Sequence, residues 1–182
     1  MIRLQLSLIT YLASICNPVS VEFVIAPEIL FYLCFQNALL MFTAQNIKLF
    51  LRFALSASFL SAVADRFGWW PAEMSAWGNW ENFVAYTQVI NPWLPEALVS
   101  PIAMVATATE IIFPLCLLLG FKTELFAKLS GILLLLFALA MTFSTGIKGP
   151  FDYSVFSASA AAFALSTMKE KYFELDCLLA KK

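Results

Sequence analysis

The chain has 182 residues, of which 62% are hydrophobic and 13% are charged, and its formal net charge is −1. A soluble domain is about half apolar and a quarter charged, and the surface-to-volume ratio of a small domain would leave much of this apolar surface in water. The composition therefore indicates an integral membrane protein. The near-zero net charge excludes the basic surface with which proteins bind nucleic acid.

The residue inventory excludes several kinds of chemistry. The sequence contains no histidine, which removes histidine-based metal ligation and acid–base catalysis. The cysteines are widely spaced and form no C-x-x-C pair, so the sequence predicts no metal site and no covalently bound cofactor. They are Cys16, Cys34, Cys116 and Cys177. We expect them to be small apolar residues within helices.

The first 46 residues are apolar but are interrupted by prolines and glutamates. Arg3 and the apolar run after it resemble the start of a signal peptide that lacks a good cleavage site. We expect residues 1–46 to be either an extra apolar helix or a non-native extension. Met41 stands directly before the first clear helix, so translation could begin there or at Met1.

A first membrane span is predicted from Ile47 to Phe67, an apolar run about long enough to cross a hydrocarbon core. Small residues recur along it at every fourth position and would let a neighbouring helix approach closely. They are Ala54, Ser58 and Ala62. Gly68 and Pro71, on either side of an aromatic pair, end the helix and mark the membrane interface.

Residues 71–97 are predicted to form a tryptophan-rich connector between the first and second spans. Its apolar positions share one face of a short helix, which indicates an amphipathic helix lying in the membrane interface. A loop packed over the mouth of the bundle is the alternative. Together with the aromatic pair before it, the connector gives five candidate interfacial aromatics: Trp69, Trp70, Trp77, Trp80 and Trp93.

Three further spans follow the connector, each an apolar run that could be embedded in a membrane. They are predicted from Ser100, as the N-cap, to Gly120, from Glu124 to Thr145, and from Asp152 to about Met168. The turn between the second and third spans is so short that these helices must be antiparallel neighbours. The predicted fold is therefore all-α: an integral membrane four-helix bundle over residues 47–168, with a charged cytoplasmic tail over residues 169–182.

The basic residues predict the orientation of the bundle. They cluster at the start of the first span, at the turn between the second and third spans, and in the tail. The connector has none, and the turn before the fourth span has only Lys148. We therefore expect a multi-pass protein of the bacterial cytoplasmic (inner) membrane, with both ends of the four-helix bundle in the cytoplasm and the connector outside.

Charged side chains inside the predicted spans are the strongest functional signal, because such residues are costly in a bilayer and usually face the bundle interior. Glu110 lies near the middle of the second span, and long side chains at Arg52 and Lys128 could reach it from the starts of the first and third spans. Pro114 would free the carbonyl of residue 110, so that Pro114 and Thr107 complete a polar pocket. This intramembrane polar site either binds a proton, ion or small molecule, or is a structural ion pair that fixes helix register.

A second polar cluster is predicted at the outer face, where the first span ends and the fourth begins. It comprises Asp65, Arg66, Lys148 and Asp152. These residues either cap helices and anchor them at the interface, or line a polar mouth, roofed by the connector, that binds a quinone-like or other small organic ligand.

Residues 47–168 resemble the DoxX-like family of small four-helix bacterial membrane proteins. The resemblance rests on an opening helix with an early arginine (LRFALSASFLSAVADRF), a carboxylate inside the second helix (TEIIFPLCLLLGFKT), and the segment KGPFDYSVFSASAAAF that leads into the last helix. It implies a relation to the small subunit of a thiosulfate:quinone oxidoreductase and a role for Arg52, Asp65 and Glu110. The family often has glycine and lysine near the end of the first helix, where this chain has Ala62, Asp65 and Arg66.

The resemblance implies a membrane subunit or accessory protein of a quinone-linked redox complex, with quinone as its ligand and no redox centre of its own. The alternatives are a small oligomeric transporter or permeation protein that uses Glu110 and Arg52, and a membrane scaffold or assembly factor. The expected partners are membrane lipid, redox-complex subunits and further copies of the chain, but not nucleic acid. The sequence leaves open whether the chain is an enzyme.

Overall fold

The structure, a computed structural model, describes residues 43–170 and 173–176, which from Ala44 onward form one compact unit. All regular secondary structure in these ranges is helical. The helices are α1 (Ala44–Arg66), α2 (Trp80–Ile90), α3 (Glu96–Leu119), α4 (Thr123–Thr145), α5 (Lys148–Asp152) and α6 (Val155–Thr167). The prediction for residues 1–46 lies outside the described residues, apart from Thr43 and the first turn of α1.

Three helices, α1, α3 and α4, are long and apolar enough to cross a membrane. They have 23, 24 and 23 residues, which is about 35 Å of helix each, against about 30 Å of hydrocarbon in a typical bilayer. Large apolar side chains on all three are exposed, among them Phe50, Val105, Leu136 and Phe143. The described part of the chain is therefore an all-α, multi-pass membrane protein, as the composition predicts.

The fourth predicted span is divided in the structure. In place of one helix from Asp152 to Met168, α5 ends at Asp152 and α6 covers only 13 residues, or about 20 Å. The break lies at Ser154, whose φ of +55° is the left-handed conformation that interrupts a right-handed helix. The sequence gives no sign of this break because serine seldom adopts that conformation. Within the described residues, three predicted spans reach membrane-crossing length and the fourth is a shorter apolar helix.

Helix α3 begins one turn earlier than predicted, at Glu96. Ser100 is therefore not its N-cap, and Pro101 lies within the helix. The pair Ser100-Pro101 has the chemistry of a helix start, but Pro95 followed by an acidic residue offers another, because a carboxylate in the first turn interacts favourably with the helix dipole.

The end of α3 is the predicted one. Gly120 has a φ of +67° and donates its N–H to the Leu117 carbonyl at 3.2 Å, while the N–H of Phe121 reaches the Cys116 carbonyl at 2.9 Å. These two bonds form the Schellman motif, in which a left-handed glycine ends the helix. The chain then reverses within Gly120–Lys122, which makes α3 and α4 antiparallel neighbours.

Small residues let α4 and α6 pack closely. Ser159 Oγ donates to the Gly131 carbonyl at 2.8 Å, and a Cβ at Gly131 would stand 2.9 Å from the ring of Phe163. On the other side of the bundle, α1 packs against α3. The shared core contains Leu55, Leu117, Ala127, Ala162 and Leu165.

The connector contains α2, which packs against α3 and α4. Its first turn is capped by Asn79, whose Oδ1 accepts the N–H of Asn82 at 2.8 Å, as N-cap residues commonly do. The connector therefore includes the short helix that its sequence pattern indicates. The location of this helix in a membrane interface stays a prediction. We refer below to the end of the bundle that bears α2 as the connector end, and to the opposite end, where α3 turns into α4, as the tail end.

Candidate functional site at the connector end

A buried ion pair joins the end of α1 to the middle of α3. Nη2 of Arg66, the last residue of α1, lies 2.5 Å from Oε2 of Glu110, and Nη1 donates to Oγ1 of Thr107 at 2.8 Å. The side chains of Arg66 and Glu110 are only 3% and 2% exposed. Because charge is costly in a bilayer, a pair held in this way either serves a ligand or fixes the register of the two helices.

The connector covers this ion pair with aromatic rings. Cζ of Arg66 lies 3.7 Å from the centroid of the Phe83 ring and 5.4 Å from that of Trp77, and the two rings meet edge to face. A guanidinium is attracted to an aromatic face, most strongly where water is excluded. We refer to Arg66, Thr107, Glu110, Phe83 and Trp77 together as the Arg66 site.

One donor of the Arg66 site is unused. Nε of Arg66 is buried and has no acceptor among the described residues, while Nη1 donates to Thr107 and Nη2 forms the ion pair with Oε2 of Glu110, an oxygen that itself has no hydrogen-bond donor there. Buried N–H groups are almost always hydrogen-bonded. The Arg66 site therefore offers one N–H to an acceptor atom from outside the described residues.

Asp65 fixes the connector over the Arg66 site. Its Oδ1 accepts the hydroxyl of Ser75, and its Oδ2 accepts the backbone N–H groups of Ala76 and Trp77 at 3.0 and 2.9 Å. A carboxylate that accepts several N–H and O–H bonds is a strong anchor. Asp65 thus holds the turn before α2 in place, and its neighbour Arg66 contacts the rings that this turn positions.

Arg52 does not contact Glu110, as the sequence suggested it could, but lies at the tail end. Its Nε and Nη2 donate to the carbonyls of Leu117 and Leu118 at 2.7 and 2.9 Å, and its Nη1 donates to the Phe173 carbonyl at 3.0 Å. Arg52 therefore donates to two carbonyls in the last turn of α3, one of which, that of Leu117, also accepts the N–H of Gly120; this end of a helix is a favourable place for a cation.

The direction of helical side chains explains why Glu110 binds Arg66 and not Arg52. Cα–Cβ bonds tilt towards the N-terminus of a helix, so both arginines of α1 extend towards its start. Arg66, at the connector end, extends inward to Glu110. Arg52 extends away from Glu110, towards the tail end.

The other members of the predicted intramembrane polar site separate in the structure. Thr107 belongs to the Arg66 site, but Lys128 is exposed on α4. Pro114 is buried, and its carbonyl accepts the Ser56 hydroxyl at 3.1 Å, one turn beyond Glu110. The structure therefore brings Glu110 and Thr107 together and places Arg52, Lys128 and Pro114 elsewhere.

The predicted outer-face cluster divides into two pairs. Asp65 and Arg66 are buried beneath the connector, whereas Lys148 and Asp152 bind each other across one turn of α5. The latter side chains are 84% and 57% exposed, and exposed pairs of this kind add little stability. Arg66, predicted in the outer-face cluster, thus pairs with Glu110, which was predicted in the intramembrane polar site.

The five tryptophans have unequal environments. Trp69, Trp70 and Trp93 are exposed, and Nε1 of Trp70 donates to the Ser61 carbonyl at 3.2 Å. Trp77 and Trp80 are half-buried and pack on Phe83 at centroid distances of 5.3 and 5.7 Å. Phe83, the ring closest to Arg66, was not singled out as a site residue, although it lies on the apolar face that identified α2.

The arrangement defines a multi-pass membrane protein with a buried, charge-neutral polar site beneath an aromatic cover. In the described ranges, no group of three or more cysteine, aspartate or glutamate residues is placed to hold a metal ion. No protein-family model matches the chain, and neither a curated protein nor a solved structure is significantly similar to it.

Proposed function

We propose that the chain is an integral membrane subunit or accessory protein of a quinone-linked redox complex, and that a quinone head group binds at the Arg66 site. The observation that carries this proposal is the buried Nε of Arg66, which has no hydrogen-bond partner among the described residues, in a guanidinium that pairs with Glu110 and lies over the rings of Phe83 and Trp77. The resemblance of residues 47–168 to the DoxX-like family supports the same function.

A quinone matches the chemistry of this site. Its ring carries two carbonyl oxygens, which accept hydrogen bonds but donate none, and its flat faces stack on aromatic side chains. Its apolar tail keeps it dissolved in the bilayer, beside the helices that would receive it. An acceptor oxygen at Arg66 Nε would satisfy a buried donor that has no partner among the described residues.

In this proposal, the electrons come from another subunit of the complex. In the proposed complex this chain binds and orients the quinone, and the partner supplies the redox centre. The ion pair with Glu110 keeps the guanidinium fixed and leaves the site without net charge, which suits a neutral ligand.

The transporter alternative depends on Glu110 and Arg52 acting at one place. Their observed partners lie at opposite ends of the bundle, which makes a joint site at the middle of the membrane the weaker proposal. The scaffold alternative would use Trp77 and Trp80 as a docking surface, but both rings pack inward on Phe83.

The test is to measure quinone and protein partners that co-purify with the full chain from native membranes in mild detergent. We expect quinone in proportion to the chain, together with a flavin, haem or sulfur-handling protein. Arg66→Met should lower the quinone content about tenfold or more, the effect expected when a hydrogen bond to a charged group is lost.

Lys148→Met is the matched control, because it removes an exposed cation at the connector end and leaves the Arg66 site intact. It should retain the quinone. Absence of quinone from the wild-type chain, or equal quinone in wild type and Arg66→Met, would overturn the proposal. Capture of the chain only with itself would favour the transporter alternative.

A further inference from the structure

At the tail end, two basic side chains of α1 are buried beneath the C-terminal tail. Lys48 and Arg52 are one helical turn apart and are 2% and 1% exposed. Arg52 binds two carbonyls of α3 and, through Nη1, the tail carbonyl of Phe173 at 3.0 Å. The ammonium of Lys48 lies 2.6 Å from Oε1 of Glu174 and donates to the carbonyl of Glu170 at 2.5 Å, so both of its partners belong to the tail.

The tail contacts the turn that follows α3 through hydrogen bonds. Oδ1 of Asp176 accepts the N–H of Lys122 at 3.0 Å, and the N–H of Asp176 donates to the Gly120 carbonyl at 3.3 Å. A Cβ at Gly120 would stand 2.6 Å from Cα of Glu174. Glycine at this position therefore ends α3 and also leaves room for the tail.

In the described tail residues 173–176, polar groups make the contacts with the bundle and the apolar side chains are exposed. Glu174 is buried, whereas Phe173 and Leu175 on either side of it are exposed, Phe173 to 73%. Phe50 and Phe53, which flank this region on α1, are exposed as well. Across residues 173–176 the contacts with the bundle are an ion pair and hydrogen bonds, and a competing anion can displace such contacts more readily than it can displace packed apolar side chains.

We propose that Lys48 is a binding site for the phosphate group of an anionic lipid, and that Glu174 occupies this site as an internal competitor. In a neutral bilayer Glu174 stays bound to Lys48. In an anionic bilayer a headgroup phosphate replaces the Glu174 carboxylate, and the tail segment is released.

The position of Lys48 fits this ligand. Lys48 lies about 6 Å along the axis from the first residue of α1, a depth from which a lysine can extend to the headgroup region. A lipid phosphate has the charge sign and acceptor oxygens of the carboxylate that it would replace, and anionic headgroups attract basic residues next to a membrane span.

The test is hydrogen exchange of the tail peptide that contains Glu174, measured on the full chain in lipid nanodiscs. We expect exchange about tenfold faster in nanodiscs that contain phosphatidylglycerol than in pure phosphatidylcholine, because exchange reports how often the segment opens. Glu174→Gln should exchange fast in both lipids. Adding inorganic phosphate to the phosphatidylcholine sample separates a requirement for lipid from a response to any phosphate.

The control variants locate the effect at Lys48. Lys48→Arg should keep the lipid response, whereas Lys48→Met should abolish it and leave the tail loose in both lipids. Glu124→Gln removes the exposed ion pair with Lys169 at the same end and should behave as wild type. Equal exchange of the wild-type tail in both lipids, or a Lys48→Met chain that still responds to anionic lipid, would overturn the proposal.

Discussion

Arg66 and Glu110 neutralise each other inside the bundle, so removing either one leaves the other as an isolated buried charge. Truncation of one partner in a buried pair costs about 3–5 kcal/mol, far more than the pair adds relative to well-packed apolar residues. We therefore expect Arg66→Met to lower the free energy of unfolding by about this amount. Denaturation of the purified chain in mixed micelles would measure the change.

The double variant Arg66→Met/Glu110→Leu separates the cost of an orphaned charge from any general damage to the fold. It should recover most of the lost stability, because neither charge is then left buried without a partner. Lys148→Met, which breaks only the exposed pair with Asp152, should stay within about 1 kcal/mol of wild type. A double variant as unstable as Arg66→Met alone would contradict the ion-pair account.

At the scale of single elements, the end of α3 depends on two residues that share the Leu117 carbonyl as an acceptor. Gly120 supplies the left-handed turn, and Arg52 binds the carbonyls of the last turn from the side. Gly120→Ala should therefore cost about 1–2 kcal/mol from its backbone conformation alone. It should also displace the tail, because the new methyl group would collide with Glu174.

Gly146→Ala is the matched variant for this prediction. Gly146 also has a positive φ, but a Cβ there would meet nothing within 4 Å. Both variants should lose stability, and only Gly120→Ala should speed hydrogen exchange of the tail. Equal rates of hydrogen exchange in the tails of the two variants would show that the close approach of Glu174 to Gly120 does not hold the tail in place.

The elements show how far the sequence alone could lead. Long apolar runs predicted α1, α3 and α4, and the glycine at 120 predicted the end of α3, because these features act locally. The partner of Glu110 could not be derived from counting residues along helices, since it depends on the direction of each arginine side chain. The ion pair between Glu174 and Lys48 could not be predicted from the sequence either, because the two residues are more than a hundred positions apart in the chain.

At the scale of the whole molecule, the position of the tail indicates how many times the chain passes along the bundle. Helices α1, α3 and α4 alternate in direction, which leaves the chain at the connector end after Thr145. Glu174 and Asp176 nevertheless contact Lys48 and Lys122 at the tail end. The segment with α5 and α6 therefore returns the chain along the bundle, although α6 alone is shorter than a typical span.

Single cysteines in a background without native cysteines test this topology. Membrane-impermeant maleimide on intact cells should label Glu73→Cys in the connector and Lys148→Cys, because both are exposed at the connector end. Lys122→Cys and Lys169→Cys should react only after the membrane is opened, since the basic residues predict that their end lies in the cytoplasm. Reversal of all four labelling results would overturn the predicted orientation but agree with the prediction of four crossings. Labelling of Lys169→Cys from the same side as Glu73→Cys would show that α6 does not take the chain across the bilayer.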